Sequence, residues 1–247
     1  MYLIKYAWWA VLWMRQILFL LYLIFITSIL AIFVITFGLM RLPSSVRRSP
    51  AILWSFMCRC GMFFILWMKI KVINKGAAND SPCVYICKHQ SSWETIVFHS
   101  LIPKICFVLK QELLSIPLFG QGLKYADSIP IDRSQSLKSF KKVLKIGKDR
   151  LNSGVSIVIF PEGTRVPVGR YPKFHKTAIT LAKSTNARVV PVAHNSGVCW
   201  PNKIGLIKPG FVTISFGEPV NPSEYTINEL NQHCYDWINN QVKQFGG

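Results

Sequence analysis

The chain has 247 residues, with 29 Lys and Arg against 11 Asp and Glu, a formal net charge of +18. Hydrophobic residues make up 51% and charged residues only 16%, too much apolar content for a disordered basic tail and too little charge for a soluble nucleic-acid binder. The length fits one α/β domain plus a short extra segment, and the composition points first to a membrane surface.

Nine bases (Lys5, Arg15, Arg41, Arg47, Arg48, Arg59, Lys69, Lys71 and Lys75) precede the first acid, Asp80. Among them, Ile17 to Met40 carries no charge. As a helix this run reaches about 36 Å, enough to cross a hydrocarbon core of about 30 Å. It is too long for a signal-peptide apolar region, and no small-residue cleavage site follows it. Tyr6, Trp8, Trp9 and Trp13 stand ahead of it as interfacial aromatics would. A second apolar stretch, Ala51–Met68, is interrupted by Arg59, which is costly in a span. Residues 1–75 are therefore expected to form a two-helix membrane anchor. Either the first helix spans and the second lies on the surface, or the two form a hairpin in one leaflet. More bases follow the first run than precede it, which places the rest of the chain in the cytoplasm.

Residues 76–247 read as the catalytic-sized domain. Short β-rich runs appear at Cys83–Cys87, Ile105–Leu109, Ser128–Ile131, Val155–Phe160, Val189–Ala193 and Phe211–Phe216. Helical patterns lie at Ser92–Leu101, Glu112–Tyr125, Ser136–Leu151 and His175–Ser184. A last helix, Ile227–Val242, is opened by Thr226 with Glu229 three residues on, a capping box. Such alternation predicts an α/β fold, a sheet of about six or seven mostly parallel strands flanked by helices. In the Ser136–Leu151 helix, Leu137, Phe140, Leu144 and Leu151 are expected to face the core. Lys138, Lys141, Lys142, Lys145 and Lys148 form the opposite face, either simply solvated or a dock for an anionic lipid or acidic acyl donor. The seven cysteines show no C-x2-C spacing and are expected to be packed, reduced thiols, with no metal site.

Three polar clusters directly follow predicted strands: Lys88-His89-Gln90-Ser91-Ser92-Trp93-Glu94, Asp132-Arg133, and Pro161-Glu162-Gly163-Thr164-Arg165. Loops beyond the carboxyl ends of parallel strands share one edge, where ligands bind. His89 suits a general base, because imidazole titrates near neutrality. Glu94, five residues on, is about 140° off the histidine's helical face, so His89 must sit in the turn before a helix capped by Ser91 or Ser92. From there its ring can fold back to the carboxylate, which would fix the tautomer. Arg133 and Arg165 suit a phosphate, Lys110 adds a point charge at another strand end, and Gly163 lets the backbone approach a ligand.

His89 with an acid after four intervening residues, Ile131-Asp132-Arg133, Phe160-Pro161-Glu162-Gly163-Thr164-Arg165, and Val190-Pro191-Val192 resemble the four blocks of the bacterial 1-acyl-sn-glycerol-3-phosphate (lysophosphatidic acid) acyltransferases. The resemblance covers roughly Cys83–Val220 and implies a glycerolipid acyltransferase-like fold at the cytoplasmic side of a bacterial inner membrane. It implies that His89, oriented by Glu94, takes the proton of the sn-2 hydroxyl of lysophosphatidic acid. That hydroxyl attacks the thioester of acyl-CoA or acyl carrier protein and gives phosphatidic acid. No acyl-enzyme and no cofactor are implied. Lys110, Arg133, Glu162, Gly163, Thr164 and Arg165 are then the substrate-binding set, with Glu162 ordering the acceptor's glycerol region. Val190-Pro191-Val192 would line the acyl path or brace the site, and His175 is a minor candidate for donor binding. The chain departs from the family in three places: Glu94 stands where Asp is usual, Lys88 where Asn is frequent, and Phe174-His175-Lys176-Thr177-Ala178 lacks a glycine often seen there. Rival readings are an acyltransferase with glycerol 3-phosphate or another lysolipid as acceptor, and a non-catalytic basic membrane adaptor. No nucleic-acid partner is expected.

Overall fold

The computed structural model describes residues 2–78, 82–102, 104–202 and 205–247; Asp80 lies outside them. Two helices come first, α1 (Tyr2–Leu39) and α2 (Ser44–Phe64), packed against each other across a short turn. Seven strands follow: β1 (Met68–Ile73), β2 (Val84–Cys87), β3 (Ile105–Lys110), β4 (Ile129–Ile131), β5 (Ser156–Ile159), β6 (Val189–His194) and β7 (Gly210–Phe216). They form one sheet in the order β1-β7-β6-β2-β5-β3-β4. Every neighbouring pair is parallel except β6 with β7.

The sheet begins before the boundary expected at residue 76. β1 sits in the sequence assigned to the anchor, and it pairs in register with β7 from Met68↔Gly210 to Ile73↔Ser215. The remaining helices are α3 (Trp93–Leu101), α4 (Phe119–Tyr125), α5 (Ser136–Asn152), α6 (Thr177–Thr185), α7 (Ser196–Cys199) and α8 (Ile227–Gln244). The helix expected over Glu112–Tyr125 is split into a 3-10 turn, Gln111–Ser115, and α4. Pro117 cannot continue a helix, and Leu118 turns with φ 60. The capping box of α8 forms: Glu229 N–H donates to Thr226 Oγ1 at 3.2 Å, and Thr226 N–H to Glu229 Oε2 at 2.8 Å.

Side chains alternate across the sheet, so each face has its own core. Tyr85 and Cys87 of β2 join Phe19, Met62, Trp93, Phe98 and Phe107 on the side of α1, α2 and α3. Val84 and Ile86 join Val143, Ile179, Leu181, Cys234 and Ile238 on the side of α5, α6 and α8. The apolar face of α5 is rotated from the expected one. Ser139, Val143, Gly147 and Leu151 are buried, while Leu137 is exposed. At Gly147 the helix comes close to α6: a Cβ there would meet Leu181 Cδ2 at 2.7 Å, so that side chain would have to shift. The five lysines are all exposed, as expected. They stand on the face of the sheet opposite α1 and α2.

α1 is long and apolar enough to cross a membrane, yet one side of it lies on the rest of the chain along most of its length. Arg15 Nε donates to Ile65 O at 2.6 Å, and Ile207 N–H donates to Gln16 Oε1 at 2.8 Å. Phe19 meets Trp200 edge-on at 5.9 Å. Tyr22 Oη donates to Met57 O at 2.9 Å, and Trp54 Nε1 to Thr27 Oγ1 at 2.8 Å. Gly38, near the far end, is closed over by the ring of Tyr125 on α4. The other side exposes Trp9, Trp13, Ile17, Leu21, Phe25 and Ile32. All seven cysteines are free thiols, six of them buried.

Candidate active site

β2, β5, β3 and β4 are consecutive parallel neighbours, so their carboxyl ends share one edge. His89 follows β2, Lys110 ends β3, Arg133 follows β4, and Glu162 to Arg165 follow β5. Every sequence-selected residue is thus brought to that edge.

His89 lies in the turn before α3, as the spacing requires. Its Nδ1 is 2.8 Å from Glu94 Oε1. An ionised carboxylate only accepts, so the proton sits on Nδ1 and Nε2 is left as the proton acceptor. The N-cap residue is Ser92, whose side chain makes no cap bond; Ser91 Oγ, one residue ahead, accepts the Trp93 N–H at 2.9 Å. Glu94 is fully buried and densely bonded. Oε1 also accepts the N–H groups of Gln90 and Ser91 at 2.8 and 2.9 Å, and Oε2 accepts from Ser91 Oγ and Ser196 Oγ, both at 3.0 Å. Burial pushes this carboxyl up, but the facing imidazoles of His194 and His89, the hydrogen bond from His89 and the Ser91 N–H outweigh it and hold it at about 2. The Glu found where Asp is usual therefore still reaches the histidine ring. Its extra methylene lets it reach the histidine and Ser196 together.

The ring of His89 stacks on Phe160 at 4.1 Å and 17°, and Phe160 in turn on Phe107 at 6.1 Å and 12°. An aromatic wall thus borders His89 on one side. The loop after β5 grips the same residue through the backbone, with Val166 N–H donating to His89 O at 2.8 Å.

Glu162 does not face the cleft. Its side chain is fully buried, with Oε1 2.5 Å from Lys88 Nζ and Oε2 accepting the His89 N–H at 2.7 Å. Burial pushes its carboxyl up, against the pull of Lys88 and the His89 N–H. Lys88, also fully buried, donates to Arg170 O at 3.1 Å and lies 5.1 Å over the ring of Tyr171. The sequence expectation has Glu162 ordering the acceptor's glycerol region; in this structure its two oxygens face Lys88 Nζ and the His89 N–H. The departure at Lys88 explains why, since a buried carboxylate needs a cation.

Arg165 and Arg133 are exposed, as is Thr164. Among the described residues no carboxylate forms an ion pair with either arginine. Lys110 is half exposed and pairs with Glu112 at 3.1 Å. Gly163 has φ 70, and a Cβ there would stand 3.5 Å from the ring of His175. His175 is exposed and donates its backbone N–H to Pro161 O at 2.8 Å. It braces the same loop.

Two residues were missed by the sequence reading. His194 ends β6 and Ser196 opens α7, both fully buried against Glu94. The Val190-Pro191-Val192 block lies directly before them on β6 and is buried; Lys88 N–H donates to Val192 O at 3.0 Å. In this structure it braces the β2 end that carries His89.

A family model described as Acyltransferase matches residues 69–195. The 1-acyl-sn-glycerol-3-phosphate acyltransferase of Pseudomonas aeruginosa is 36% identical over 192 residues, 73% of this chain and 74% of that protein. The Salmonella typhimurium protein of the same description is 29% identical over 164 residues, 64% of this chain and 66% of its own. The crystal structure of the 1-acyl-sn-glycerophosphate (LPA) acyltransferase PlsC from Thermotoga maritima superimposes with a TM-score of 0.75 at 22% identity. It covers 94% of this chain and 97% of that one, and so shares the fold.

Proposed function

The chain belongs to the acyltransferase family, and from that premise we propose that it moves a fatty acyl group from a thioester donor to the sn-2 hydroxyl of lysophosphatidic acid, giving phosphatidic acid. The observation that carries the reading is the His89 Nδ1 to Glu94 Oε1 contact of 2.8 Å at the edge where, among the described residues, Arg133 and Arg165 have no carboxylate partner. In the reaction the acceptor O–H proton passes to His89 Nε2 as the oxygen bonds to the thioester carbonyl carbon. The tetrahedral species then expels the thiolate, which takes the proton from the imidazolium. Glu94, ionised throughout, holds the tautomer and steadies the imidazolium. Arg165, Arg133 and Lys110 hold the acceptor's phosphate, Gly163 and Thr164 shape the loop beneath it, and no resident cofactor takes part.

The attachment follows from the same packing. Polar Arg15, Gln16 and Thr27 turn inward while Trp9, Trp13, Leu21 and Phe25 face out. A helix held by the domain near both ends suits burial in one leaflet of the inner membrane from the cytoplasmic side rather than a free span. Quenchers confined to the far leaflet should then leave the emission of Trp8, Trp9 and Trp13 untouched. The lysine face of α5 stands on the side of the sheet away from α1 and α2, which supports an acidic donor rather than anionic lipid as its partner.

One assay tests the function. Purified protein is given lysophosphatidic acid, glycerol 3-phosphate and other lysolipids, each with acyl-CoA and acyl carrier protein, at low and high salt. Lysophosphatidic acid should be the preferred acceptor. Preferred use of glycerol 3-phosphate overturns the acceptor reading. Salt-independent use of acyl carrier protein overturns the role of α5.

A further inference from the structure

His194 is fully buried at the end of β6, and no step of the proposed reaction uses it. Its ring lies between two backbone groups. Nε2 is 2.7 Å from Lys88 O, and Nδ1 accepts the Ser196 N–H at 3.3 Å. A carbonyl can only accept and an amide N–H can only donate, so the ring carries its one proton on Nε2 and is neutral. Protonation would set an Nδ1–H against the Ser196 N–H. The charged or titratable groups facing it are Glu94, with Oε2 4.0 Å from Nε2, and His89 and Lys88; the Trp93 ring packs at 5.8 Å. Burial lowers its basicity, which agrees with the neutral form.

Both of its hydrogen bonds lead to the proposed catalytic pair. Lys88 O and His89 N belong to one peptide group. His194 holds the oxygen of that group at 2.7 Å, and Glu162 holds its N–H at 2.7 Å. The plane that carries the base is fixed from both edges. On its other side His194 anchors the backbone of Ser196, whose Oγ donates to Glu94 Oε2 at 3.0 Å. A displaced ring would free the histidine and its orienting acid together.

We propose that His194 is a positioning residue for acyl transfer, a neutral imidazole that sets the peptide plane of His89 and the Ser196 hydroxyl that completes the Glu94 cage. The proposal rests on the reading of His89 and Glu94 as base and orienting acid. A histidine that merely satisfied its own polar atoms would affect folding but not the pH dependence of turnover.

The test compares His194→Phe, His194→Gln and Ser196→Ala with the wild type, on whichever acceptor the wild type turns over. Failure with lysophosphatidic acid then counts against the acceptor reading alone, and His89→Ala run in parallel tests the base assignment. His194→Phe should lower kcat by about tenfold to a hundredfold, the cost of a misplaced catalytic group, with both KM values within about threefold of wild type. His194→Gln keeps an N–H aimed at Lys88 O and should recover most of that loss. The acid limb of the kcat/KM profile should move in both His194→Phe and Ser196→Ala. A fall in kcat that only tracks the folded fraction, with an unmoved limb, overturns the proposal, as does His194→Gln being no better than His194→Phe. If His194→Phe does not fold, Ser196→Ala decides the matter: unchanged kcat and an unchanged limb there also overturn it.

Discussion

Glu162 reaches the backbone of His89, not the cleft: its Oε2 accepts the His89 N–H at 2.7 Å while Oε1 lies 2.5 Å from Lys88 Nζ. A motif carboxylate that looks like a substrate ligand is here a strut between β2 and β5. Breaking a buried pair from one side leaves a charge without a partner, at about 3–5 kcal/mol. Lys88→Met and Glu162→Gln should each lower unfolding stability by an amount of that order, and the double variant should recover part of it. Denaturant unfolding in detergent measures this. A stable Glu162→Gln enzyme with only a raised acceptor KM would return Glu162 to the substrate.

Glu94 accepts from His89, two backbone N–H groups and two serine hydroxyls. A carboxamide would set its own N–H bonds against some of those donors. Glu94→Gln should therefore cut kcat by about 10³-fold or more, as the loss of an orienting acid does. Glu94→Asp, too short to reach His89 and Ser196 at once, should keep a measurable part of the rate. Equal losses would mean that reach, not charge, matters at this position.

The same carboxyl links folding to acid. Held at about 2 against an ordinary 4.5, it contributes stability that is fully present above the unfolded value. That contribution is lost as pH falls from about 4.5 towards 2. Unfolding free energy measured across this window should fall with pH in the wild type and fall less steeply in Glu94→Gln. Parallel curves would remove Glu94 from the acid response.

Among the described residues Arg165 and Arg133 stand at the edge without a carboxylate partner, whereas Lys110 is paired with Glu112 at 3.1 Å. Hydrogen bonds to a charged group contribute about 1.5–3 kcal/mol, so Arg165→Ala should raise the acceptor KM by about tenfold to a hundredfold with little change in kcat. Arg133→Ala should act in the same direction. Lys110→Ala should do less, since its charge is shared with Glu112. An unchanged acceptor KM in Arg165→Ala would take that residue out of the phosphate site.

What could be read from the sequence was local. His89 and Glu94 lie five residues apart, so helical geometry alone put the histidine in the turn. Thr226 and Glu229 announced their capping box, and the lysines of α5 announced a solvated face. Pro117 was a visible break that the Glu112–Tyr125 pattern overrode. The rest depended on partners far along the chain. β1 is a strand because β7, some 140 residues later, pairs with it. Glu162 became structural because Lys88 is buried beneath it, 74 residues away. His194 gave no signal, since its value lies in two backbone atoms that only the fold brings to it. A lysine where the family pattern favours asparagine was the one hint that the neighbouring acid had another use.

In the proposed attachment, α1 has a mechanical consequence. A linker would let the catalytic cleft wander over the lipid surface, but a helix clasped at Gln16, Tyr22, Thr27 and Gly38 has no joint. The working height of His89 above the bilayer is then a fixed dimension of the molecule. It is set by how closely α2 and α4 seat against α1, so a packing change distant from the cleft would act as a change of focus.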